Sequence, residues 1–165
     1  MKLLTITALL LASSISFGQT GTLIGIYDGN DNPNSNSGIL EDMETDIFDF
    51  TGETIDLELY GKSDDGDNSF TSSSSASKDG TWSSDDSVEF ITVKGGNQFS
   101  LWWYEGGATS GEWTTAGLRN DGGKQPGVSH LSAWNDSSTP GDAPFEGGLL
   151  SFLMVGLVSL LRKRK

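Results

Sequence analysis

The chain has 165 residues, no cysteine, and 23 acidic against 10 basic side chains. Five of those cations, Lys2 with Arg162, Lys163, Arg164 and Lys165, lie at the two ends, which leaves five against 23 acids between them, a balance of −18. Such a body has no basic patch to displace counterions from phosphate, so nucleic acid and anionic membrane surfaces are excluded as its partners, and disulfides, zinc–thiolate clusters and cysteine chemistry are excluded with the missing thiols.

At the start, the cationic Met1-Lys2, an apolar stretch from Leu3 to Ala12 and the small residues of Ser16-Phe17-Gly18 have the three-part layout of a secretory signal peptide. Residues 1–18 are therefore expected to be removed between Gly18 and Gln19, with signal peptidase and the secretion machinery as partners. GQTG follows and is turn-like, which gives that helix nothing to run on into. Residues 19–136 remain as one domain of ordinary size, able to bury a single core.

In that domain period two dominates, and apolar residues at helical spacing are not sustained for three turns. TLIGIY (Thr22 to Tyr27) predicts a first strand, ended by the loop chemistry of DGNDNPNSNSG. Ile47 to Phe50 and Thr54 to Tyr60 flank Thr51-Gly52-Glu53 and predict a hairpin; in its second arm Ile55, Leu57 and Leu59 face one way, Asp56, Glu58 and Tyr60 the other. The polar tract from Ser63 to Gly80 predicts a long exposed loop. VEFITVK (Val88 to Lys94), GGN and QFSLWWYE (Gln98 to Glu105) predict the strongest hairpin, with Phe99, Leu101 and Trp103 on one face of its second arm and Ser100, Trp102 and Tyr104 on the other. Short strands at Glu112 to Thr115 and Val128 to Asn135 complete the set. The expected fold is all-β: a single antiparallel β-sandwich, jelly-roll-like.

Past the domain, residues 137–146 form a linker and motif, residues 147–161 an apolar helix and residues 162–165 a basic cluster. Pro144, Phe145, Glu146, Gly147 and Gly148, the apolar run and the terminal cations together resemble the C-terminal sorting signal of PEP-CTERM proteins, which exosortases recognise in Gram-negative bacteria. ITVKGGNQFSLWWYE, GEWTTAGLRNDGGKQPGVSHLSAWN and GTWSS are similar to a secreted β-domain found ahead of that signal, and the whole covers about half of the chain. The motif departs from Pro-Glu-Pro, which implies a variant exosortase system; Gly147-Gly148 also resembles the GlyGly-CTERM signal handled by a rhomboid-type protease. The resemblance implies an exported, noncatalytic surface, extracellular-matrix or biofilm protein that passes through an inner-membrane intermediate. At about 1.5 Å per residue the apolar run spans roughly 22 Å, short of a hydrocarbon core of roughly 30 Å. That suits retention while an enzyme cuts, with Arg162 to Lys165 held at the cytoplasmic side; an uncleaved single-pass anchor is the competing reading.

Three constellations bear on chemistry. Asp28, Asn30 and Asn32 place oxygen ligands at alternate positions, as a calcium loop does, but Pro33 stands where the EF-hand pattern has glycine and Ile39 where it has glutamate, so no cofactor is expected and calcium is kept as an option against a solvated acidic loop. A second acidic group, Asp64, Asp65 and Asp67, reads the same way. Trp102, Trp103 and Trp134 are either core residues or flat platforms for a polysaccharide, with Trp102 the ring expected to be exposed; a secreted carbohydrate-binding module is thus the alternative function. His130, the only histidine, is expected to bond the sheet or a neighbouring loop, because nothing resembles a nucleophile elbow.

Overall fold

The computed structural model describes residues 19–32, 37–66, 68–73 and 76–138. The expected signal peptide, the sorting motif Pro144 to Gly148, the apolar helix and the cluster Arg162 to Lys165 lie outside them. Among the described residues no helix is long and apolar enough to cross a membrane.

The domain is mostly β. Its strands are β1 (Gln19–Thr20), β2 (Thr22–Asp28), β3 (Leu57–Lys62), β4 (Phe70–Ser72), β5 (Asp79–Gly95), β6 (Gln98–Thr114) and β7 (His130–Asp136), with one helix, α1 (Ser37–Thr51), after β2. They form a single mixed sheet of order β1-β6-β5-β7-β3, with β2 also on β6 and β4 also on β5. The expected antiparallel pattern holds for every pair except β1, which runs parallel to β6 with Gln19 opposite Gly111.

The segment expected to open a hairpin at Ile47 to Phe50 is instead the end of α1. Ile39, Met43 and Ile47 recur at every fourth residue and are buried, which is the core-facing stripe of a helix. Phe48 and Phe50, each 50 % exposed, interrupt that stripe and make IFDF look like a strand. The helix stops before Gly52, whose φ of 79° lets its N–H reach the Phe48 carbonyl at 2.8 Å, a left-handed helix cap. Thr51-Gly52 is a turn signal in either reading; here it ends a helix.

Two clusters of buried residues occupy opposite faces of the sheet, as the alternation in QFSLWWYE predicts. One gathers Phe90, Phe99, Leu101 and Trp134 under α1, with Trp103 partly covered beside them. Burying Met43 and Ile47 there stabilises the fold by about 1.5–3 kcal/mol each. Tyr27 on β2 donates to the Asp46 carboxylate at 2.7 Å, and the Leu57 N–H donates to Glu44 at 3.0 Å, so polar bonds at two places fix how the helix lies. Burial, followed by the Asp46 bond and the Asp46 and Asp42 charges, pushes the Tyr27 phenol far up, which keeps it a neutral donor.

The other cluster joins Ile91, Val93, Leu131 and Ala133 to Trp82, Trp113 and Phe70. It exists because the two 17-residue strands, β5 and β6, fold back over themselves. Eight residues of straight strand span about 26 Å, yet the Tyr104 hydroxyl donates to the Glu112 carbonyl on its own strand at 2.8 Å. The turn is made at Gly106 and Gly107, with φ of 73° and 76°, a region open to glycine and strained for other residues. On β5 the register slips between Ser83 and Val88, where it passes the same corner. The tract expected to be only loop supplies β4 here, and its Phe70 is 1 % exposed.

Candidate functional site

Asp31 is the most constrained ionisable group near the sites expected from sequence. It sits in the loop after β2, is fully buried, and accepts three hydrogen bonds from distant strands: Thr92 Oγ1 of β5 donates to its Oδ2 at 2.7 Å, Ser132 Oγ of β7 to the same oxygen at 2.7 Å, and His130 Nε2 to Oδ1 at 2.8 Å. Trp134 Nε1 in turn donates to Thr92 Oγ1 at 3.1 Å, so indole, hydroxyl and carboxylate form one chain of polarised bonds. Burial pushes the Asp31 carboxyl up, but the bond and charge of His130 with the two hydroxyls outweigh it and hold the group well below the usual carboxylate range.

These residue types are those of a hydrolase triad, but their wiring differs. An acyl-transfer triad needs the hydroxyl bonded to the imidazole, which takes its proton. Here Ser132 and His130 both donate to the carboxylate, and Ser132 is fully buried. The second ring nitrogen of His130 faces Asp64 at 3.7 Å. This arrangement latches the loop after β2 to β5 and β7. It matches the expectation that His130 bonds a neighbouring loop.

Asp31 itself escapes sequence reasoning because the alternate spacing draws attention to its neighbours. Asp28 and Asn30 line a shallow cavity of about 560 Å³ with Asn97, Asp121 and the Lys94 side chain, and Asn32 is not part of that lining. Gln98 donates to Asp28 at 2.9 Å and Asn97 to Asp121 at 2.6 Å, so amide hydrogens already meet one oxygen of each carboxylate. Among the described residues no group of three or more His, Asp or Glu side chains is gathered as a metal site.

The three tryptophans expected as a platform are not brought together. Trp134 is 1 % exposed and presents no ring face to solvent, because it fills the core beneath α1 and spends its N–H on Thr92. Trp103 lies on that same face of the sheet, edge-on to Phe50 with ring centres 5.9 Å apart. Trp102 points to the opposite face, half-buried, and with Trp113 it lines an open groove of about 420 Å³.

The groove lies where β1 meets the folded-back halves of β5 and β6. Thr20, Asp79 and the paired residues Thr81 and Glu112 line it with the two tryptophans. Both indole N–H groups are turned inward: Trp102 donates to Ser100 Oγ at 2.8 Å and Trp113 to the Thr81 carbonyl at 3.1 Å. A Cβ at Gly80 would fall 2.7 Å from Trp113 Cζ2, so glycine there leaves space against the ring. Sequence reading singled out Trp102 as the exposed ring but not Glu112 and Asp79, which reach it only through the fold in β5 and β6.

No family model, no curated protein and no solved structure matches this chain.

Proposed function

We propose that this is an exported, noncatalytic surface or extracellular-matrix protein, of jelly-roll-like build, whose C-terminal sorting signal is processed by an exosortase-like or rhomboid-type membrane enzyme. The observation that carries the reading is the order of segments along the chain: a signal-peptide pattern, a folded β-domain and then the Pro144-to-Gly148 motif, apolar run and four terminal cations. The described domain supports it in one respect. Its two cores draw on residues from Ile24 to Trp134, so the motif follows a body with buried cores of its own. The commitment of Asp31, His130 and Ser132 to a buried latch favours a structural over a catalytic role for them.

Mass spectrometry of the protein recovered outside cells tests this. The expected mature chain starts at Gln19 and ends between Pro144 and Gly148, and cells lacking the processing enzyme should retain the longer form in the membrane. Recovery of extracellular chains still ending at Lys165 would sink the proposal.

A further inference from the structure

The groove beside Trp102 has the chemistry of a binding site for one class of ligand. The half-buried Trp102 indole is locked by the internal bond from its N–H to Ser100, so it offers its ring face, which carries partial negative charge and attracts polarised C–H edges and cations; Trp113, 4 % exposed, backs the groove from the core. Preorganised rings lose little entropy when a ligand stacks on them. The exposed carboxylates of Asp79 and Glu112 stand at the rim, and neither side chain has an ion pair among the described residues. Thr20 and Thr81 add hydroxyls. The size falls within the range of small-ligand clefts.

We propose that this groove binds a polysaccharide of amino-bearing pyranoses, with a sugar C–H face stacked on Trp102 and ammonium groups held by Asp79 and Glu112. A polyanionic glycan would be opposed by those carboxylates and by the −18 balance of the body. The proposal rests on the matrix reading for its setting, and names the material such a protein would hold. Binding by the purified chain and trimming of the exported chain are separate readouts, so each can fail without the other.

The test is titration calorimetry of the purified full-length chain with a glucosamine hexamer, its fully N-acetylated counterpart, a polygalacturonate oligomer and hexalysine as a ring-free cation. The glucosamine hexamer should bind at least tenfold more tightly than each of the others. Trp102→Ala should abolish that binding and Trp102→Phe restore part of it, while Asp79→Asn with Glu112→Gln should remove the preference over the acetylated hexamer. Thermal melting of every variant separates lost binding from lost fold; the carboxylate pair is exposed and should melt as the parent does. Equal binding of hexalysine, undiminished binding in Trp102→Ala, a preference untouched by the carboxamide pair, or no binding of the glucosamine hexamer would each overturn the proposal.

Discussion

Asp31→Ala is expected to destabilise the domain by about 3 kcal/mol or more, the scale seen when one partner of a buried charged network is removed and the others are left without it. Three donors lose this carboxylate at once: the buried Thr92 and Ser132 hydroxyls and the His130 ring. Lys94 is affected too. The residue is largely buried, and its ammonium, pushed down by burial and pulled up by the Asp31 charge, loses that favourable charge. Asp31→Asn keeps the shape and should cost less. Because the folded-state carboxyl is held below its unfolded value of about 3.9, its contribution is complete above that value and drains away as the pH falls through the folded one. Urea unfolding at a series of pH values checks both points: the gap between the parent and Asp31→Asn should be wide at pH 7 and narrow steadily below pH 4. A gap of the same width at pH 2 and pH 7 would contradict the latch.

Trp82→Ala should be of similar size, about 3–5 kcal/mol, through the cavity left by a large buried ring. Trp82 stands edge-on to Tyr104 with ring centres 5.1 Å apart, and touches Phe70 from the other side. Its N–H donates to the Tyr104 hydroxyl at 2.9 Å, and that hydroxyl donates onward to the Glu112 carbonyl. The corner of β6 is thus tied by one phenol that accepts from one element and donates to another. Burial, partly relieved by the Trp82 bond and reinforced by the Glu112 charge, pushes that phenol up to about 12, so it stays protonated across the ordinary pH range. Tyr104→Phe removes only the tie and should cost about 1–3 kcal/mol, chiefly for the indole N–H left without a partner. Denaturation midpoints of the two variants decide the matter; a Tyr104→Phe protein as stable as the parent would show that the glycines alone hold the corner.

The hairpin from Val88 to Glu105 and the division of its aromatic residues between two faces were legible because both are local: alternation fixes the faces and Gly95-Gly96-Asn97 fixes the turn. Helix α1 was not, since two exposed phenylalanines blur its stripe and Gly52 signals a stop without saying of what. Phe70 was hidden by its setting, one aromatic side chain in a polar tract, where composition argues for solvent and only the partner strand argues for burial. Asp31 and the groove share a different reason. The latch joins residues 61 to 101 positions apart, and the groove depends on a strand turning back on itself, and neither kind of distance leaves a pattern in a window of a dozen residues. Trp134 shows the limit of residue type as a guide: a tryptophan on a strand suits a sugar platform and a core equally well until its neighbours are known.

The fold in β5 and β6 also sets how the domain comes apart. Two independent sheets can part while one survives, but here the same pair of strands runs through both halves of a single sheet. Loosening either half pulls on the hydrogen-bonded ladder of its sibling, so the described domain is expected to unfold as one unit, without shedding half of its sheet first.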